Sequence, residues 1–371
     1  MPRIIFTVIN DLTYDHRMHR ICNSLVNDGH DVLLVGRKLS RRDPFGKSSV
    51  PLQEEEFHQH RLKLIFSRGK LFYIENNIRL FFFLLFQKFD IVCGIDLDTI
   101  LPCYFISKIK NKKCVYDAHE LFPEVPEVIR RPSVQKMWRR VEKFSVSRIK
   151  NCYTVSHGLA DYFEKNYGRK FEVIRNMPLK DDNTVKRVAD SSFRTIIYQG
   201  ALNEGRGLEA MIEAMQQLDC KLILAGEGDL SSTLRTKVEQ LNLSEKIIFA
   251  GKKKADELRN LTKQSFIGIN LLENKGLNYY YSLANKFFDY VNAGIPQITM
   301  NFPEYKMMNT EFEVAALIDD LKTETLLSAI HRLMDEKDFY FRLRENCLRA
   351  REVWNWQNEE QKLLAFYRQL K

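Results

Sequence analysis

The stretch "TIIYQGALNEGRGLEAMIEAM" (residues 195–215) has the residue types and spacing to hold a phosphate. It reads as a strand, a glycine-rich turn and a helix, which together aim backbone N–H groups at an anion. Gly200 ends the strand, and Gly205 and Gly207 keep the turn bare. Arg206 stands between them with a planar fork that fits two phosphate oxygens. A Walker loop would require Lys and Ser or Thr where Arg206 and Gly207 stand, so no magnesium ligand remains and a triphosphate site is disfavoured. The alternatives left are a diphosphate loop and a plain turn with an exposed arginine.

Two further constellations carry chemistry. In "ENKGLNYYYSLANKFFDYVNAGIPQI" (273–298) a strand runs into a tyrosine-rich loop, and a helix is predicted from Ser282, Leu283 and Asn285 to Gly294. The tyrosines, Tyr281 last, suit a ligand wall. Asp289 falls one turn beyond Asn285. Lys286 lies in the first helical turn, where the helix dipole disfavours a cation unless it meets an anion. In "KCVYDAHELFPEVPE" (113–127) a strand ends at Asp117, and His119 and Glu120 follow on a loop suited to ligand contact. This segment lacks metal-ligand spacing. Asp96-Leu-Asp98 could pass for a D-x-D metal motif, but Asp98-Thr99 reads better as a helix start. "NDLTYDHRMHRI" places Asp11, Arg17 and Arg20 near the end of the first strand, and "LILAGEGDL" adds Gly226 and Gly228.

Positioning these groups takes strands that are apolar on both faces and alternate with helices. That pattern predicts an α/β fold with parallel sheets covered on both sides. It runs once through 1–177, pauses in a polar linker at 178–194, and restarts over 195–350. Tandem units of this kind are expected to form a cleft at the carboxyl ends of their sheets. An amphipathic helix over 351–371 is expected to cross back to the first domain. The apolar run at 71–89 is too short and too interrupted to span a membrane. It reads as a buried helix, with a membrane-facing patch as the alternative.

Composition narrows the function classes. The 371 residues, 44% hydrophobic, suffice for two domains, and a formal charge of +9 favours anionic partners. Scattered cysteines without C-x-x-C, and a start without a signal-peptide pattern, point to the cytoplasm. The basic run "KIKNKK" has no interleaved aromatics, so no nucleic-acid partner is expected.

These segments together resemble the retaining glycosyltransferases of the GT-B fold, the "group 1" or family 4 class, in a bacterial surface-polysaccharide branch. The likeness rests on "VSHGLADYFEKNYG", "FEVIRNMP", "YQGALNEGRGLEAMIEAM", "LILAGEGDL", "SLANKFFDYVNAGIPQI" and "CVYDAHE". It implies two Rossmann-like domains, the first for the acceptor and the second for the donor. It also implies a UDP- or GDP-sugar donor, no further cofactor, no metal, and a glycan or lipid-linked acceptor at the inner membrane face. By position, Arg206 matches the lysine that grips the diphosphate, Asp289 the second glutamate of the E-x7-E motif, which holds the ribose, and His119 a histidine near the transferred sugar. Gly200, Gly205, Gly207, Gly226, Gly228, Ser282, Leu283, Asn285 and Lys286 fall on the donor side. Asp11, Arg17, Arg20, Asp117, Glu120 and Tyr281 fall on the acceptor or cleft side. The sequence departs from the class at Ala201, where an arginine is usual, and at Tyr281, where the first glutamate is usual. Lys286, or Arg17 and Arg20, are the candidates to supply the missing charge.

Overall fold

A computed structural model of the chain describes residues 1–13, 15–38, 50–180 and 194–370. The chain divides into two compact units, Met1–Asn176 with Glu359–Lys371, and Met177–Asn358. Of the expected linker at 178–194, positions 181–193 lie outside the described residues. Its start is fixed to the second unit, where the Pro178 carbonyl accepts from Trp356 N at 2.8 Å and Lys180 N donates to Gln357 Oε1 at 3.0 Å.

The first unit is built on β1 (Arg3–Thr7), β2 (Asp31–Lys38), β3 (His58–Lys63), β4 (Ile91–Ile95), β5 (Lys113–Ala118), β6 (Asn151–Thr154) and β7 (Glu172–Val173). They form one parallel sheet in the order β3-β2-β1-β4-β5-β6-β7. The chain builds outward from β1 to β3, then returns to β4 on the other side. The order therefore reverses between β1 and β4, which opens a crevice at their carboxyl ends. Helix α1 (His16–Asn27) follows β1, capped by Asp15, whose carboxylate accepts from Met18 N at 3.1 Å. Its Met18, Ile21, Cys22 and Leu25 are fully buried.

Helix α2 (Gly69–Phe86) departs from the expected buried helix. Only Phe72, Asn76, Leu80 and Leu84 face inward, while Ile74, Ile78 and Phe82 are 54%, 52% and 55% exposed. Helix α3 (Asp96–Ile109) starts directly after β4, and the helix Pro132–Val146 packs beside it. The helix Trp356–Arg368 gives its latter part to this unit, with Tyr367 5.9 Å from Phe6 and Phe366 5.1 Å from Tyr153 between ring centres. No helix among the described residues is long and apolar enough to cross a membrane.

The second unit repeats the plan with β8 (Thr195–Gln199), β9 (Lys221–Ala225), β10 (Ile247–Phe249), β11 (Ile267–Asn270), β12 (Gln297–Met300) and β13 (Ala315–Ile318). All pair in parallel in the order β10-β9-β8-β11-β12-β13. Here the reversal lies between β8 and β11. Tyr290 fastens that seam from below, its hydroxyl 3.2 Å from the Ile197 carbonyl and 3.1 Å from that of Ile269.

Candidate functional site

In the second unit the glycine-rich turn leaves the carboxyl end of β8 at the point of reversal. Gly200 follows the strand at φ +132°, and Gly207 holds φ +64° as the residue before the short helix Leu208–Ala214. Gly226 and Gly228 support this turn by close packing. A Cβ on Gly226 would stand 1.8 Å from the Gly200 carbonyl oxygen, and one on Gly228 2.6 Å from that of Leu202. Their glycine character thus serves to fit the backbone of 200–203 against the turn after β9.

Two cations face this turn. Arg206 lies over the ring of Tyr279 at 4.9 Å, and its buried Nε has no hydrogen-bond partner. Lys286, the second residue of the helix Asn285–Ala293, is only 8% exposed, with its Nζ 3.8 Å from the centre of the Tyr198 ring. A Cβ built on Gly200 would lie 3.5 Å from that Nζ, so the amine sits at the turn itself. The Lys286 pKa is lowered well below the usual range, by burial first and then by the Arg206 charge, against the pull of Asp289. A buried donor without an acceptor beside a desolvated amine is the electrostatic state an anion relieves.

Asp289, one turn after Asn285, accepts from Gln199 Nε2 at 2.8 Å, and Gln199 Oε1 accepts from Thr262 Oγ1 at 2.7 Å. Of the other residues expected here, Ser282 donates to the Tyr279 carbonyl at 2.9 Å, closing the loop before the helix, and Leu283 is buried in the core. The tyrosine loop is less of a ligand wall than its composition suggests. Tyr279 is the buried floor under Arg206, Tyr280 packs on Phe302, and Tyr281 packs on Tyr280.

In the first unit a compact ionic cluster forms at the carboxyl ends of β4 and β5. His119 Nε2 stands 2.9 Å from Asp117 Oδ2 and 2.9 Å from Arg17 Nε. Arg17 is buried and also reaches Asp117 Oδ1 at 3.3 Å and the Ile174 carbonyl at 3.4 Å. The shared nitrogen has two uses. Neutral with its proton on Nδ1, His119 accepts from Arg17; protonated, it donates to Asp117. Burial acts to lower the His119 pKa, but Asp117 and Asp96 outweigh burial and Arg17 and raise it. Asp117 is lowered although burial acts to raise it, because His119 and Arg17 hold its charge.

Asp96 is the member the motifs missed in this role. It sits directly after β4 at φ +54°, a left-handed conformation that costs a non-glycine residue about 1 kcal/mol or more. From there its Oδ1 accepts from His119 N at 2.8 Å. Asp98 is buried in the first turn of α3 instead of capping it, because the helix begins two residues earlier. Among the described residues no group of three or more His, Cys, Asp or Glu is placed to hold a metal.

The remaining expected residues are used otherwise. Asp11 accepts from Thr13 N and Oγ1 at 3.3 and 3.1 Å, which fixes a local turn. Arg20 donates to Asn176 Oδ1 at 2.5 Å. Arg17 does not act as a spare cation, because Asp117 and His119 occupy it. Glu120 remains half-buried beside His119.

The comparisons follow this division. Residues 16–177 match the family model Glycosyltransferase Family 4, and residues 180–350 match Glycosyl transferases group 1. Sucrose-phosphate synthase from Thermosynechococcus elongatus superposes with a TM-score of 0.81 at 16% identity, over 100% of this chain and 99% of that one. HepE from Anabaena in complex with UDP-glucose gives 0.75 at 13% identity over 100% of both chains. WaaG, a glycosyltransferase involved in lipopolysaccharide biosynthesis, gives 0.72 at 13% over 97% and 98%. The fold is thus GT-B. No curated protein matches the chain by sequence.

Proposed function

Because the chain belongs to the group 1 glycosyltransferases, we propose that it moves a sugar from a nucleotide-diphosphate donor to an acceptor hydroxyl with retention at the anomeric carbon. The bond from that carbon to the diphosphate oxygen breaks and a bond to the acceptor oxygen forms. The acceptor proton passes to the departing phosphate. The barrier is set by charge growing on the diphosphate, which fixed cations stabilise. The observation that carries this reading is the pairing of Arg206, with its unsatisfied Nε, and buried Lys286 at the Gly200 turn. Lys286 takes up the charge missing at Ala201, and no metal is required.

We assign donor binding to the second unit, with Asp289 on the ribose and Gln199 holding its carboxylate, and acceptor binding to the first, with His119 next to the transferred sugar. The UDP-glucose in the HepE structure favours a UDP-type donor, and WaaG favours a role in surface polysaccharide. Such a role places the protein in the cytoplasm, at the inner face of a bacterial membrane.

A thermal-shift panel of UDP, GDP, ADP, CDP and their sugars, without metal, tests the reading. One nucleotide at a hundred times its Kd should add about 2.7 kcal/mol. Arg206→Ala should retain the fold and lose on the order of a hundredfold or more in kcat. A flat panel, or near-normal kcat in this variant, would sink the assignment. Donor binding without turnover on any acceptor would favour an inactive sugar-nucleotide-binding partner, the reading that the departures at Ala201 and Tyr281 suggest.

A further inference from the structure

The first unit carries an apolar groove of about 700 Å³ outside its ionic cluster, walled by α2, α3 and the helix Pro132–Val146. Ile78, Phe82 and Phe105 line one end and are about half exposed, at 52%, 55% and 45%. Soluble surfaces rarely leave such a contiguous patch to water, and a concave one suits a ligand more than a flat contact. Toward the starts of α2 and of the helix Pro132–Val146 the lining includes Lys70, Tyr73 and Arg131. Tyr73 lies there 5.4 Å from the Trp138 ring, and its pKa is raised by burial, then by Asp98 and Glu120, with Arg37 and Arg131 opposing. Lys70 and Arg131 line the groove and no carboxylate does. The wall is also continuous with the cluster: Leu97 lines the groove, and its neighbour Asp96 holds His119 N at 2.8 Å.

We propose that this groove binds one hydrocarbon chain of a phosphate-bearing lipid, with the phosphate at Lys70 and Arg131, and that the acceptor of sugar transfer is therefore lipid-linked. The second clause rests on the transferase reading above; the first does not. The apolar end removes methylene groups from water, and the two cations meet the phosphate. The step from Leu97 to Asp96 brings the lipid headgroup to the His119 side.

The test uses 11-bromoundecyl phosphate below its micellar concentration as a quencher of Trp138, which lines the groove. Trp354 and Trp356 are buried in the second unit and should not respond. Saturable quenching is expected, lost in Trp138→Phe and weakened about tenfold in Phe82→Asp, an exposed position that does not threaten folding. Arg131→Ala should weaken it about fivefold and abolish the preference over neutral 11-bromoundecanol. Absence of saturable quenching, or quenching indifferent to Phe82→Asp, overturns the site. So does binding to anionic vesicles without quenching by the soluble probe, which would make the patch a membrane-facing surface. UDP binding is measured on the same samples. If UDP binds and the alkyl phosphate does not, this inference falls and the transferase reading stands. If the alkyl phosphate binds and no nucleotide does, the lipid site stands and its role as acceptor site falls with the transferase reading.

Discussion

Lys286 shows how one residue can join a local conflict to a chemical role. A lysine in the first turn of a helix opposes the helix dipole, and its burial adds a desolvation cost. The cation–π contact with Tyr198 offsets only part of this. A diphosphate would offset both costs by favouring the ammonium form. Two consequences follow for Lys286→Met. UDP should bind about 10–100-fold more weakly, the loss of one buried hydrogen bond to a charged group, while uridine should bind almost as before. In the wild type, UDP binding should favour the protonated amine, and so take up protons toward the pH at which the unliganded amine, its pKa lowered by burial, begins to lose its charge. Calorimetry in buffers of different ionisation enthalpy reads that uptake directly. Heats independent of buffer, together with equal UDP affinity in the variant, would remove Lys286 from the donor site.

At the scale of the element, the helix Pro132–Val146 carries a titrating group that no motif announces. Glu142 is buried, accepts from the Tyr167 hydroxyl at 2.5 Å, and has its pKa raised to about 7, mainly by burial and against the pull of Tyr167 and Arg139. Below the unfolded value of 4.5 both states hold the proton and folding costs nothing extra. As pH rises through the folded value of about 7, stability is lost. Glu142→Gln keeps an acceptor for Tyr167 and has no charge to bury. It should match the wild type near pH 4 and exceed it by roughly 3 kcal/mol at pH 8, read from urea midpoints at constant m. A constant difference across that range would contradict the burial argument. Helix positions such as Glu142 are hard to read from sequence because the acid is an ordinary residue on an amphipathic helix, and its burial and its bond to Tyr167 arise only in the tertiary fold. By contrast, Gly200, Arg206 and Asp289 were legible because turn chemistry and helix spacing are local. Gln199 was not, since its contact with Asp289 spans 90 residues. Asp96 suggested at most half of a metal motif, and only its left-handed backbone turns it toward His119. The short edge strand β13 also went unread.

At the scale of the whole molecule, the chain's return to its first unit ties the last helix to the first unit's chemistry. Tyr367 packs on Phe6, and its hydroxyl lies 3.5 Å from that of Tyr153. Tyr153 in turn hydrogen-bonds Asp117, the buried partner of Arg17 and His119. Removing the ring and removing the hydroxyl should therefore differ. Tyr367→Ala leaves a cavity against Phe6 and Tyr153 and should cost about 3–5 kcal/mol, the range for large aromatic truncations. Tyr367→Phe keeps the packing and should cost about 1 kcal/mol, the net value of one hydrogen bond. Hydrogen exchange followed by mass spectrometry locates the loss. Because residues from Glu359 onward belong with Met1–Asn176, Tyr367→Ala should speed exchange in peptides from 1–176 while peptides from 177–358 keep their protection. Equal loss in both sets would mean that this helix supports the chain as a whole. Unchanged exchange in the first set would mean that Tyr367 is not part of its core, and the hydroxyl path to Asp117 would lose its basis.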